Sequence, residues 1–465
     1  MYRKEYTETI FRTGSHISRK SSVKQHEMAA LREMEQMILA AETDPAGAEA
    51  LERAAAHLEQ FLQQVRQKRI LDEKQRAMEA FRQQFENGYT WRNGFLRNVA
   101  RFGDREALIE PESGTVWTYT QLNAEANRLS HALLRAGLQK GDVVMVQLHN
   151  CPEFVFAYLA CHKTGMVFCP VNFRLSAKEI TDCMDNSRPK VFLLEPETQA
   201  EVDMALRRTA HAPQILLTTD ARAAHAYAGF TADCPATEPE LPWELSVYDE
   251  TLRLFTSGTT GRQKSVCLTS INEVLSAHDV MIHFPFSFTD RSMNTTPWFH
   301  RGGLHSGGIT PTLYAGGTVI IQRKFQPEKT LDMVQQYGLT FLIGVPNVLE
   351  LLAEAQQKQP RDLSSLRGIV TMGSPLERAD CIRYQKILTK RIFNGYGTTE
   401  TFWNTFLRPD DLPEMAGSAG RSCVDDDVRV IKVYEDRVAE PDDLAATDGS
   451  EVGEVIIRSN AKSAA

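Results

Sequence analysis

Residues 254–266 read "LFTSGTTGRQKSV", with Ser257, Gly258, Thr259, Thr260 and Gly261 set just ahead of Lys264. Glycine tolerates unusual φ and close approach, so such a run can turn N–H groups and hydroxyls onto one anion. The lysine adds a point charge, and a phosphate cradle is expected. The Walker form, G-x-x-x-x-G-K-[ST], needs a glycine directly before its lysine, where this chain has Gln263. A Walker loop also runs straight into a helix whose N-terminus holds the phosphates. Here the strand-like "VCLTS" follows. A helix is expected only from Ser270, with Glu273 completing a capping box. The loop should therefore join two strands.

Outward from the loop, short β-branched or apolar runs alternate with helical ones. "ALIE" at 107, the helical "TQLNAEANRLSHALLRAG" and "DVVMVQL" precede it. "TVIIQ" at 318, "TFLIGV" at 340, "GIVTMG" at 368 and "RIFNG" at 391 follow it. That alternation predicts an α/β fold with mixed, mainly parallel sheets flanked by helices. "DVRVIKVYED" and "GEVIIRS" predict a small β subregion near the end. Residues 1–88 differ in texture. Met28, Leu31, Met34, Ile38 and Ala41, then Leu51, Ala55, Leu58, Leu62 and Val65, repeat at helical spacing, and Leu71, Met78, Phe81 and Phe85 extend the pattern. "TDPAG" at 43–47 breaks the run, because proline inside a helix costs about 3 kcal/mol. A helical hairpin is expected, its second arm reaching Phe85. It would pack on the main domain of residues 89–465, form a homodimer contact, or meet a partner.

The 465 residues carry a net charge of −8, with no basic balance of the kind a nucleic-acid surface requires. Eight cysteines form no C-x-x-C pair, which predicts reduced thiols and a cytoplasmic location rather than a disulfide frame. No secretory h-region is visible. The longest apolar run, "FVFAYLACHKTGMVF", is interrupted by His162 and Lys163 and falls short of the ~20 residues a spanning helix needs.

Further motifs follow the loop in order: "PWFHRGGL" at 297, "TMGSPL" at 371, "FNGYGTTET" at 393 and "GSAGRS" at 417. With "TSGTTGRQKS", this series resembles the adenylate-forming superfamily of acyl- and aryl-CoA synthetases, luciferases and peptide-synthetase adenylation domains. Their loop reads roughly T-S-G-T-T-G-x-P-K-G. The resemblance covers about residues 95–460 and leaves out the N-terminal extension. It implies the large N-terminal domain of that fold. It also implies ATP- and Mg²⁺-dependent activation of a carboxylic acid as acyl-AMP, then transfer to CoA.

By the same resemblance, Thr256, Ser257, Gly258, Thr259, Thr260 and Gly261 wrap the β- and γ-phosphates, with Lys264 beside them. Thr399 would bond the α-phosphate, and Glu400 would be the metal-associated carboxylate, an oxygen ligand suited to a hard cation. Gly373, Ser374 and Pro375 would form the slot beside adenine. Asn394 and Gly395 would contact its edge, and Tyr396 would stack on its face. His300 would gate the acid pocket, lined by Trp298, Phe299, Gly303, Met372, Gly397 and Thr398. The apolar lining predicts a fatty or aromatic acid. His305 has no family role and is expected at the surface or in core packing.

Two loop positions depart from the pattern: Gln263 stands for the family's proline and Ser265 for its glycine. The family's Y-x-T-G-D segment and lysine-bearing C-terminal lid are not found before Ala465, so the sequence reads as the large domain without its lid. A nucleotide- or adenylate-binding scaffold subunit, or an enzyme loading a carrier protein, would share every motif seen.

Overall fold

The computed structural model of the chain describes residues 32, 36–37, 39–40, 47–257 and 263–459. The chain divides into two units, Met1–Gln84 and Phe85–Ala465. The first unit contains the long helix Gly47–Arg82. It gives way to a π turn, Gln83–Asn87, so α-helical geometry stops three residues short of the expected Phe85. Ile70, Leu71, Met78 and Phe81 are exposed on this helix. The break around Pro45 and most of the preceding arm lie outside the described residues.

The second unit holds two large sheets. The six-stranded sheet has the order β6-β5-β3-β4-β7-β8. It comprises β3 (Val143–Gln147), β4 (Val167–Pro170), β5 (Val191–Leu194), β6 (Ile215–Thr218), β7 (Glu250–Ser257) and β8 (Gln263–Thr269). All neighbours are parallel except β7 and β8. The nine-stranded sheet has the order β15-β14-β13-β12-β11-β9-β10-β1-β2. It comprises β1 (Glu106–Glu110), β2 (Thr115–Thr118), β9 (Arg291–Asn294), β10 (Thr318–Ile320), β11 (Phe341–Gly344), β12 (Gly368–Met372), β13 (Ile392–Thr398), β14 (Phe402–Leu407) and β15 (Arg421–Ser422). Its centre is parallel, and the antiparallel strands β2, β14 and β15 lie toward the edges. β16 (Asp426–Lys432) and β17 (Gly453–Ser459) form the small β subregion expected near the end. The architecture is thus α/β with mixed, mainly parallel sheets, as the sequence alternation requires.

The helices start where local chemistry tells them to. Thr118 caps Tyr119–Arg135 in a reciprocal box with Gln121, and the helix buries Leu122, Ala126, Leu129 and Leu133 at spacings of three and four. The apolar run at 154–168 supplies the helix Pro152–Thr164, buried along nearly its whole length. It ends at Gly165 in the left-handed region (φ 74°), then turns into β4. Among the described residues no helix is long and apolar enough to cross a membrane. All eight cysteines are free thiols, seven of them buried.

Candidate active site

β7 and β8 form an antiparallel hairpin in which Thr256 faces Lys264 and Ser257 faces Gln263. The phosphate-loop motif therefore joins two strands, and no helix follows it directly. Gly258, Thr259, Thr260 and Gly261 lie outside the described residues. Leu252, Leu254, Val266 and Leu268 bury one face of the hairpin. Lys264 is exposed, and its side chain makes no hydrogen bond or ion pair among the described residues.

The following helix, Ser270–His283, corrects one expectation. Its N-cap is Thr269, whose N–H donates to Asn272 Oδ1 at 2.8 Å, so the capping box is Thr269/Asn272 rather than Ser270/Glu273. Glu273 points into the protein instead. It is fully buried, accepts from Tyr158 Oη at 2.6 Å, and lies 2.5 Å from His305 Nε2. His305 Nδ1 lies 3.2 Å from the Arg301 carbonyl, so both ring nitrogens face oxygen acceptors. Desolvation would push the Glu273 carboxyl up. The charge and hydrogen bond of His305 outweigh it and hold Glu273 below its ordinary range. Of the two places expected for it, surface or core, His305 takes the core, as a partner of a buried carboxylate. Ser276 and Asp279, three and six residues on, are also buried. Glu273, Ser276 and Asp279 form a polar stripe along one helix face.

Against that stripe lies the short helix Arg301–His305, with His300 as its N-cap. His300 is exposed and its ring is 4.2 Å from that of Phe299. Neighbouring protein atoms desolvate the imidazole and lower its pKa even though solvent still reaches it. Trp298 and Phe299 are buried, Trp298 against Phe154 with ring centres 5.6 Å apart. The two glycines serve close approach. A Cβ on Gly303 would lie 2.1 Å from the Pro297 carbonyl oxygen, and one on Gly302 would lie 2.9 Å from Met372 Sδ. That second contact brings the end of β12 against the helix carrying His300.

Arg301 was not singled out from sequence. Its side chain is buried, donates from Nη1 to the main-chain carbonyl of Thr399, and reaches Ser276 Oγ from Nη2 at 3.3 Å. Burial lowers the guanidinium to about 10, against the opposing pull of Glu273, Glu400 and Asp279. A charged residue between "PWFH" and "GGL" was the available signal. Its partners 25 and 98 residues away were not readable.

β12 and β13 carry the remaining candidates. Buried Thr371 Oγ1 donates to Asn394 Oδ1 at 2.5 Å, which leaves the Asn394 NH₂ as the group free to donate to a ligand. Gly373 takes a left-handed φ of 84°, and Gly373, Ser374 and Pro375 are exposed beyond the strand end. Along β13 burial changes abruptly: Asn394 and Gly395 are buried, whereas Tyr396, Gly397 and Thr398 are exposed. The β13–β14 register slips between Tyr396 and Gly397. A Cβ on Gly397 would lie 1.5 Å from the Phe402 carbonyl oxygen, so only glycine fits. The turn between the strands is tied by Thr401 N–H to Thr398 Oγ1 at 3.2 Å. Phe402 follows at φ 62°, a strained value for a bulky residue. Thr399 is half-buried. Glu400 is exposed and makes no hydrogen bond or ion pair among the described residues.

His300, Met372, Gly373–Pro375 and Asn394–Glu400 therefore lie on elements that touch one another, and Arg301 ties the first to the last. The phosphate-loop hairpin connects to this group through Ser270–His283. One other set has metal-ligand chemistry among the described residues: Asp279, His283 and Cys423. Arg408 Nη2 lies 2.8 Å from His283 Nδ1, so that nitrogen is the acceptor. Nε2 then carries the proton and faces Asp279 Oδ1 at 3.1 Å.

Comparison with known proteins agrees with this fold. The family model described as AMP-binding enzyme matches residues 95–463. An indoleacetate–CoA ligase of Aromatoleum aromaticum is 31% identical over 337 residues, covering 70% of this chain and 65% of that protein. A feruloyl-CoA synthase of an Amycolatopsis species is 31% identical over 335 residues, covering 70% and 64%. The chain thus spans just under two thirds of each relative's length. The inhibitor-bound N-terminal domain of FACL13 from Mycobacterium tuberculosis superposes with a TM-score of 0.70 at 26% identity, over 80% of this chain and 89% of that one. The anthranilate CoA ligase AuaEII in complex with anthranoyl-AMP shares the fold, with a TM-score of 0.71 at 20% identity over 80% and 69%. A family match running from the helix before β1 through β17, on the two-sheet fold of those structures, means that this chain belongs to the AMP-binding enzyme family, within the adenylate-forming superfamily.

Proposed function

We propose that residues 89–465 form the adenylate-forming domain of an acid–thiol ligase. Its reaction joins a carboxylate oxygen to the α-phosphorus of ATP, releases pyrophosphate, and passes the acyl group from AMP to the thiol of CoA. The observation that carries the reading is the change from buried to exposed along β13. It presents Tyr396–Thr398 and the Thr399–Glu400 turn to solvent directly beside buried Asn394. Nucleotidyl transfer asks the protein for positioning and charge neutralisation more than for a nucleophilic side chain.

Each residue has a task in that scheme. The Asn394 amide donates to the base edge while Thr371 holds its oxygen, and Tyr396 offers a ring face to adenine. Gly373–Pro375 form the slot. The loop 256–261 and Lys264 hold the departing pyrophosphate, and Thr399 donates to the α-phosphate. Glu400 fits a magnesium ion, being an exposed carboxylate that no neighbouring cation occupies among the described residues. Bound there, the ion would neutralise phosphate charge. His300, its pKa lowered by desolvation, stands neutral at the mouth of the acid pocket.

The acid in this proposal is fatty or aromatic. Phe299 and Met372 are buried apolar walls, and Arg301, the nearest strong cation, is already committed to Thr399 and Ser276. The names of the relatives, which include indoleacetate and feruloyl-CoA enzymes, lean the same way. Free thiols accord with a cytoplasmic setting. ATP–pyrophosphate exchange with a panel of fatty, aromatic and amino acids tests the reading. Exchange should be Mg²⁺-dependent and confined to the first two classes, and exchange driven only by amino acids would refute it.

A further inference from the structure

We propose that Arg301 is the positioning residue for the Thr399–Glu400 turn, locking the metal-binding carboxylate in place while leaving it unpaired; this rests on the nucleotide reading above. Four observations converge on it. The guanidinium is buried and forked: one arm reaches Ser276 Oγ on the helix Ser270–His283, and the other donates to the Thr399 carbonyl at the tip of the β13–β14 hairpin. The ring of Phe402 lies under the same guanidinium, 5.4 Å from its centre. Phe402 is the residue that leaves the turn in the left-handed region. Arg301 therefore grips the turn both at its carbonyl and at its strained exit.

The charges complete the argument. Glu273 and Asp279 flank Ser276 on the buried stripe, and their charges, with that of Glu400, act on the guanidinium. An arginine without those two carboxylates would draw Glu400 into an ion pair and remove it from the metal. With them present, Glu400 stays exposed and forms no ion pair among the described residues. Glu273 is itself bonded by His305 and Tyr158. Lysine cannot replace the fork, because a single ammonium cannot span Ser276 and Thr399 together.

The test is binding of Mn²⁺·ATP to the full chain, read by the electron paramagnetic resonance of manganese. It uses wild type, Arg301→Gln, Arg301→Lys, Glu400→Gln and the double variant Arg301→Gln/Glu400→Gln, with circular dichroism to check folding. Arg301→Gln should raise the half-saturating Mn²⁺ concentration about tenfold, the scale of losing a charge-assisted hydrogen bond. Arg301→Lys should recover part of that loss, and the double variant should be no worse than Glu400→Gln alone. A merely structural arginine would leave metal half-saturation unmoved in every folded variant, and that result overturns the proposal. If Arg301→Gln does not fold, Arg301→Lys decides by the same criterion. Absence of Mn²⁺·ATP binding by the wild-type chain would overturn the nucleotide reading and this proposal with it. Wild-type binding with unchanged Arg301 variants would overturn this proposal alone.

Discussion

His305 Nε2 lies 2.5 Å from Glu273 Oε1, and neither side chain reaches solvent. His305 ends the short helix that opens with Arg301, so the pair ties that helix to Ser270–His283. Replacing Glu273 by Gln would leave His305 facing a neutral amide in a cavity built for a carboxylate. Breaking a buried pair in this way costs about 3–5 kcal/mol. Glu273→Gln should lower the midpoint of thermal unfolding by several degrees in calorimetry, and an unchanged midpoint would show that the pair contributes nothing net.

The same cluster sets an acid limit. Burial lowers His162 to about 4, below its ordinary 6.5, with Trp91 and Tyr158 packed on its ring. The unfolded chain therefore binds the His162 proton first as pH falls. Stability is full above about 6.5 and declines toward about 4, by on the order of 3 kcal/mol from this group. His278 and His300, also lowered by desolvation, act in the same direction. Glu273 follows in a lower window, its contribution lost as pH drops from 4.5 toward about 2. Urea unfolding at pH 7 and pH 5 should show a marked loss for wild type and a smaller one for His162→Gln. Equal losses would remove His162 from the account.

Two glycines near the site should respond unequally. A Cβ on Gly397 meets the Phe402 carbonyl oxygen at 1.5 Å, backbone that cannot yield without moving the hairpin. A Cβ on Gly302 meets Met372 Sδ at 2.9 Å, in a side chain that can swing away. Gly397→Ala should destabilise the fold by more than about 2 kcal/mol and abolish adenylate binding, whereas Gly302→Ala should cost under about 1 kcal/mol. Matched denaturation and binding curves for the two variants would check the contrast.

Gln263 opens β8 opposite Ser257, at the position where the family carries proline. Proline is tolerated at the first residue of a strand and fixes φ there. Gln263→Pro should therefore stiffen the loop and lower the apparent KM for ATP, with kcat little changed. A KM equal to wild type would refute this account of the departure.

Much of the fold was legible because it is written locally. "VCLTS" after the lysine announced β8 and excluded a Walker loop, and the run "TQLNAEANRLSHALLRAG" announced a helix that the structure has at Tyr119–Arg135. The helix after β8 starts at Ser270 as expected, but its capping box was placed one residue late, because Ser270 and Glu273 also satisfy the capping pattern. Deciding between them required knowing that Glu273 has partners 115 residues before it and 32 after it. Arg301 was missed for the same reason, since its role exists only once Ser276 and Thr399 are brought to it. The apolar spacing at 51–85 does mark a helix, yet Leu71, Met78 and Phe81 end up exposed: periodicity finds a helical face but not what covers it.

The most direct test of the central claim is titration calorimetry of the chain with non-hydrolysable acyl-adenosine sulfamates, which mimic acyl-AMP. An aryl or fatty acyl mimic should bind one to one, at least tenfold more tightly than an aminoacyl mimic, and Asn394→Ala should weaken it by about tenfold. No binding, or equal affinity for the aminoacyl mimic with no effect of Asn394→Ala, would contradict the account.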